Sequence, residues 1–97
     1  VKVYWTETAI NQLQAIREYI AQNSTEYARR MVDRLTRRSK QIAAFPMSGR
    51  KVPEFEVEQI REVIEGSYRI IYYIKPDQID ILSVIHTSQQ DFGKDQS

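Results

Sequence analysis

Arg61, Arg69 and His86 are the residues of this chain whose types and spacing could do chemistry. They lie on three consecutive stretches that read as strands, "VEQIREVIEG", "YRIIYYIK" and "QIDILSVIH". In a meander of three strands they can converge on one face. A cationic cluster with an imidazole can bind and cleave RNA, arginine stabilising the pentavalent phosphate and histidine moving the proton. A structural reading is equally physical: Arg61 pairs with a nearby glutamate, Arg69 lies over Tyr72 or Trp5 in a cation–π contact, and His86 caps the sheet end. His86 is the only histidine and there is no cysteine, so thiol chemistry is excluded and neither a metal nor another cofactor is expected. A Ser67–His86–Asp80 triad can be drawn, but nothing around Ser67 resembles a nucleophile elbow. Gly49, Gly66 and Gly93 lie too far apart for a phosphate-cradling loop. The acids Glu54, Glu56, Glu58, Glu62 and Glu65 read as a solvated strand face rather than a catalytic pair.

A second candidate is a basic helix face. Arg29, Arg30, Arg34, Arg37, Arg38 and Lys40 fall within twelve positions, although the net charge of the whole chain is only +1. Such a face can meet nucleic acid or an acidic partner. No aromatic residue is interleaved with it, so stacking on single strands is not suggested.

The elements that must position these residues follow from hydropathy patterning. "VKVYW" alternates as a short strand with Val3 and Trp5 on one face. Thr6 reads as an N-cap, and Ala9, Leu13, Ile16 and Ile20 form the stripe of an amphipathic helix. Ser24 caps a second helix, about Thr25 to Ala44, with Ala28, Met31, Val32, Leu35, Ser39 and Ile42 on its apolar side. Pro46 and Gly49 stop it. The short break between the helices makes an αα-hairpin. Three strands follow, the first two joined at Gly66 and the last two at "KPDQ". The expected fold class is α+β, β-α-α-β-β-β, with the helical hairpin packed on a mainly antiparallel sheet in two layers. Trp5, Leu13, Ile16, Leu35, Ile42, Ile71 and Ile81 are expected between helices and sheet. Ninety-seven residues make one domain, 1–97, with 88–97 a loose tail. No apolar run of about 20 residues is long enough to cross a membrane. The first residues lack the pattern of a secretory leader, so a cytoplasmic protein is expected.

The order of "PMSGRKVPE" (Pro46–Glu54), "RE" (Arg61–Glu62), "YRIIY" (Tyr68–Tyr72) and "VIH" (Val84–His86) resembles the ParE branch of the RelE/ParE superfamily, toxins of type II toxin–antitoxin modules. The resemblance runs from about Val3 to His86. It implies a small cytoplasmic toxin with a role in plasmid stabilization, silenced by a ParD-like antitoxin that starts as a ribbon-helix-helix. ParE-like members inhibit DNA gyrase by binding, whereas RelE-like members cut mRNA on the ribosome. Arg69 falls on a strand arginine common to both branches, and His86 falls where ParE-like proteins commonly have histidine. The lysines that RelE-like nucleases place near the second strand are missing from "EFEVEQIREV", and acids beside a phosphate site repel RNA. "TSQQ" follows His86 where ParE-like members usually carry arginines. The resemblance thus favours a gyrase-binding toxin over a nuclease. In the nuclease alternative Arg61, Arg69 and His86 would be catalytic; in the binding toxin Arg69 and His86 contact the target. Antitoxin contacts are expected at exposed Tyr19, Tyr27 and Phe55, with antitoxin acids meeting Arg30, Arg34 and Arg37.

Overall fold

The computed structural model describes residues 1–89. Strand β1 (Lys2–Trp5) leads into α1 (Glu7–Ala21) and α2 (Thr25–Ala44). A 3-10 turn at Pro46–Ser48 precedes β2 (Arg50–Lys51), β3 (Ile60–Glu65), β4 (Tyr68–Ile74) and β5 (Gln78–His86). The sheet order is β1-β5-β4-β3-β2, with β1 parallel to β5 and every other pair antiparallel. The α+β class and two-layer plan are those expected from patterning. The two-residue β2 is an addition, and β3 begins at Ile60 rather than Val57.

Both helices start where their caps dictate. Thr6 Oγ1 accepts from Ala9 N–H at 3.2 Å and donates to the Ile81 carbonyl at 2.7 Å, so one hydroxyl caps α1 and ties it to β5. Ser24 Oγ accepts from Tyr27 N–H at 3.0 Å. The β3–β4 turn uses Gly66 at φ 61°, where a β-carbon would be strained.

Alternation sends each strand residue to one of two faces. On the helix side Leu35, Ile42, Met31 and Ala9 pack on Val63, Tyr68, Ile70, Tyr72, Ile79, Ile81 and Val84. Trp5, Leu13 and Ile16 are half-buried against that core. Ile71 corrects the expected list. It is fully buried, but on the far face, where Val52, Ile85, Phe55, Ile60 and Leu82 surround it. The far face is therefore covered by the segment between β2 and β3. Between Ile71 and Tyr72 the β4–β5 register shifts, Ile71 pairing with Ser83 and Tyr72 with Ile81. Leu82 is the extra residue of a β-bulge.

Candidate functional site

The bulge decides where the candidate residues point. Arg69 pairs with Ile85, and both face away from the helices. His86 pairs with Tyr68 on the helix side, and the rings meet edge to face with centroids 5.6 Å apart. Without the extra residue at Leu82, the period-2 pattern would put His86 on the face of Arg69. Arg61 pairs with Tyr72 and so shares the helix side with His86. It is four β4 positions away, about 13 Å along the strand. The convergence expected for a nuclease cluster is thus absent: the three residues occupy three separate environments.

Arg61 donates from Nη1 to the Gly49 carbonyl at 2.9 Å, and from Nε and Nη2 to the carbonyl and carboxylate of Glu58. It anchors the loop leading into β2. Tyr72 supports the same loop from below, donating from its hydroxyl to the Pro46 carbonyl at 2.6 Å and accepting from Gly49 N–H at 3.1 Å. Burial pushes the Tyr72 phenol above its ordinary pKa, with the Gly49 N–H partly opposing this. A β-carbon at Gly49 would lie 2.4 Å from that phenol oxygen and 2.7 Å from the Glu62 carbonyl, so the close approach requires glycine.

Arg69 is buried among carboxylates, with no cation–π contact to Tyr72 or Trp5, whose side chains lie on the other face. Its Nε and Nη2 lie 2.8 and 2.6 Å from Glu62 Oε1, and Nη2 and Nη1 lie 3.2 and 3.4 Å from the two oxygens of Glu54. Nη1 also donates to the Gln89 carbonyl at 3.3 Å, so every guanidinium nitrogen is engaged. Glu62 Oε2 accepts from Arg50 Nε at 2.6 Å. Burial would lower the Arg69 pKa, but the hydrogen bonds and charges of Glu62 and Glu54 outweigh it and raise it. The expectation of a solvated acidic face fails here. Glu62 is 1% exposed because its position on β3 faces Ile71 across the pair, under the β2–β3 segment. A groove of about 500 Å³ opens over this cluster, lined by Arg50, Glu54, Glu62, Arg69, Ser88 and Gln89, among others.

His86 is exposed at the end of β5, its Nδ1 2.8 Å from Ser88 Oγ. Ser67 lies in the β3–β4 turn, and Asp80 projects to the far face near the other end of β5, held by Lys75 at 2.8 Å, so the triad drawn from sequence does not assemble. Ser88 and Gln89, assigned from sequence to the loose tail, are tied to His86 and Arg69; the remainder of that tail, 90–97, lies outside the described residues.

The basic helix is partly neutralised. Arg34 Nη2 pairs with Glu65 at 2.9 Å and Arg30 with Glu26 at 3.6 Å, while Arg37 has no ion pair among the described residues. Tyr19 and Tyr27 are 69% and 44% exposed, as an interaction surface requires. Phe55 is not exposed as expected: it packs half-buried on Val52, Ile71 and Ile85. Sequence reasoning missed the pairing of Glu62 and Glu54 with Arg69. The available signal was their i, i+7 and i, i+15 separation across a hairpin, which pairing registers alone could resolve.

The geometry can be set beside known proteins. The family model described as ParE toxin of type II toxin-antitoxin system, parDE, matches residues 3–91. Toxin RelE2 of Caulobacter vibrioides is 34% identical over 89 residues, covering 91% of this chain and 97% of its own. Putative toxin Y4kP of Sinorhizobium fredii is 32% identical over 91 residues, covering 92% of this chain and 91% of its own. Among solved structures, the chromosomal ParDE system of P. aeruginosa superposes with a TM-score of 0.73 at 24% identity, covering 89% of this chain and 95% of that one. A chain of the RelBE2 toxin-antitoxin complex of Mycobacterium tuberculosis gives 0.66 at 20% identity, covering 88% and 95%. These structures share the fold.

Proposed function

Because the chain belongs to the ParE toxin family of type II toxin–antitoxin systems, we propose that it acts in the cytoplasm as a toxin that inhibits DNA gyrase by binding, and that a ParD-like ribbon-helix-helix antitoxin silences it. The observation that carries the binding reading is the state of Arg69. Two carboxylates occupy its guanidinium, and the imidazole that would move a proton faces the other side of the sheet. General acid–base help requires groups within about 2.6–3.2 Å of the proton they move. A scissile phosphate beside Arg69 would also meet Glu62 and Glu54. Of the two target contacts expected from sequence, His86 is accessible, while the Arg69 side chain is only 9% exposed. On the antitoxin side, Tyr19, Tyr27 and the cations Arg30, Arg34 and Arg37 remain the candidate contacts, and Phe55 contributes only its exposed part.

A second reading, a ribosome-dependent endoribonuclease cutting mRNA, is favoured by the name Toxin RelE2 carried by the relative at 34% identity. One pair of assays separates the two. Purified protein is tested for inhibition of gyrase supercoiling and for cleavage of translated messages. The expected outcome is inhibition without cleavage. His86→Ala should retain part of the inhibition, because most single truncations in a binding surface cost under about 1 kcal/mol. Cleavage by the wild type that disappears in His86→Ala would install the nuclease, since a lost acid–base group typically costs about 10²–10⁴-fold in rate.

A further inference from the structure

The turn after α2 displays two large apolar side chains to solvent. Phe45 is 69% exposed and Met47 62%. Scattered apolar residues on a surface are ordinary, but these two flank Pro46 in one short turn, and buried polar groups hold that turn in place. Phe45 N–H donates to the Gln41 carbonyl at 3.0 Å, and Ser48 N–H to the Phe45 carbonyl at 3.0 Å. Pro46 fixes its own φ at the start of the 3-10 turn. From below, Tyr72 and Arg61 hold Pro46 and Gly49 by three hydrogen bonds. Tyr72 is a core residue at 0% exposure, and among the described residues its hydroxyl bonds only to this turn. Phenylalanine would fill the same core position, so the hydroxyl serves the turn alone. A surface ordered in advance loses less conformational entropy when it binds.

Cations surround this tip. From Arg34 to Pro53 the chain has six Arg and Lys residues and no acid. Arg34, Arg38 and Gln41 precede Phe45 at helical spacing, so one side of α2 carries a stripe that runs into the turn. Burial raises the pKa of the Tyr72 phenol, and the Gly49 N–H and the charges of Arg61 and Arg38 oppose it, which places both guanidiniums beside the turn. Acids from β3 answer the stripe incompletely. Arg34 and Arg38 both lean on Glu65, at 2.9 and 3.7 Å. The longer distance is no hydrogen bond, and Arg38 Nε is a buried nitrogen without a hydrogen-bond partner. A pocket of about 250 Å³ opens among Arg34, Arg37, Arg38, Gln41 and Glu65. Three guanidiniums share one carboxylate there, a surplus that a second carboxylate would meet.

We propose that the Phe45–Met47 turn is a target contact: its two side chains enter an apolar cleft on gyrase, and an acidic side chain at the rim of that cleft enters the arginine pocket. The inference rests on the gyrase reading above, and it adds a surface separate from Arg69 and His86. Aromatic, Met and Arg side chains are the types enriched in protein interfaces. A nucleic-acid duplex would cover the cations but offers no apolar surface to Phe45 and Met47. A second copy related by a two-fold axis would set the cations of each tip against the same cations of the other. The turn lies about 27 Å along α2 from Tyr27, so Phe45 and Met47 can be altered without touching the antitoxin candidates at the other end of the hairpin.

The test is binding of the full-length toxin to purified DNA gyrase. Inhibition of supercoiling and binding to the product of the short reading frame beside its gene are measured in parallel. Phe45→Ser combined with Met47→Ser should weaken gyrase binding by at least about tenfold and lower inhibition to match. Its melting temperature and its binding to the neighbouring product should stay at wild-type values. Arg38→Gln should weaken gyrase binding and reduce its dependence on salt. The wild type supplies a measurement without mutation. Met47 is the exposed one of the two methionines, Met31 being 2% exposed, so its conversion to the sulfoxide by hydrogen peroxide reports on the tip, and gyrase should slow it. A double variant that binds gyrase as tightly as the wild type, or Met47 oxidation that gyrase leaves unchanged, overturns the tip and leaves the gyrase reading standing. Unchanged affinity in Arg38→Gln overturns the acid in the arginine pocket. Loss of gyrase binding together with loss of the neighbouring product would mean that these residues act through the fold, and it overturns the contact. Protection of Met47 by duplex DNA alone would assign the surface to nucleic acid and overturn the proposed occupant. A wild type that neither binds nor inhibits gyrase overturns the tip and the gyrase reading together.

Discussion

The two faces of the sheet are built from the same strands, residue by residue in alternation, yet different forces hold them. The helix side is a core of Leu35, Ile42, Ile70, Tyr72 and Ile81, each at 0% exposure. Its stabilisation comes from apolar area removed from water, which requires neither a specific partner nor a particular charge state. The far side combines a small apolar cluster around Ile71 with the Arg50–Glu62–Arg69–Glu54 network. There the buried charges of Glu62 and Arg69 are tolerable only because they face each other, so stability depends on partners remaining in place. One face is robust to the chemistry of its surroundings, and the other is conditional. The conditional face carries the residue that looked most like a catalyst.

The largest effect that would break this comparison comes from separating the network. Arg69→Ala should cost about 3–5 kcal/mol, because it leaves the buried Glu62 carboxylate with only the exposed Arg50. That is a large share of the roughly 5–15 kcal/mol available to a domain of this kind. Replacing both members, Arg69→Met with Glu62→Leu, should recover most of the loss, since no buried charge is then stranded. Urea midpoints of the two variants decide the matter: a double variant as unstable as the single would show that packing, and not charge, holds the far face.

Leu35→Ala comes next, at roughly 2–5 kcal/mol, from the lost transfer energy plus the cavity left behind. No second substitution across the sheet should rescue it, and its cost should be the same at pH 5 and pH 8. A negligible shift of the urea midpoint would mean that the helix side is not the area-driven core described above.

The smallest effect sharpens the same contrast at Asp80, also on the far side. Burial raises its pKa, but the hydrogen bond and charge of Lys75, with a hydrogen bond from Gln78, outweigh this and hold it below the ordinary carboxylate value. A depressed folded pKa contributes stability above the unfolded pKa, and that stability is lost as pH falls through the folded value. The Lys75 pKa is raised, first by its hydrogen bond to Asp80 and then by that carboxylate's charge, so its share is lost only as pH rises beyond the ordinary lysine range. Asp80→Asn should therefore lower the melting temperature slightly at pH 7. The difference from wild type should shrink as pH falls below the ordinary aspartate value and vanish once it has passed the depressed folded value, where both proteins are neutral at this position. A difference that persists in acid would mean that Asp80 acts through packing rather than charge.

Local rules made much of the fold legible in the sequence. Thr6 and Ser24 were readable as caps because the first turn of any helix leaves N–H groups that a hydroxyl can satisfy. The stripe through Met31, Leu35 and Ile42 was readable because a helix repeats every 3.6 residues. Order and spacing of short motifs from Pro46 to His86 also sufficed to identify the family. Period 2 sends successive residues of β4 to opposite faces, but it does not say which residues of the other strands share a side with Arg69.

That assignment belongs to the tertiary structure. The bulge at Leu82 is one residue without a strong local signature, and it exists because β4 and β5 pair as they do. It reverses the facing of everything after it, placing His86 with Tyr68 and leaving Arg69 with Glu62. The burial of Glu62 and the half-burial of Phe55 likewise depend on where the segment between β2 and β3 lies, a long-range packing outcome that composition cannot encode. Sequence alone determined the helices, the four longer strands apart from the exact start of β3, and the family, because caps and periodicities act over a few residues. Which charges meet, and which face each side chain takes, was decided only by strand register, because register is a property of two strands and not of either one.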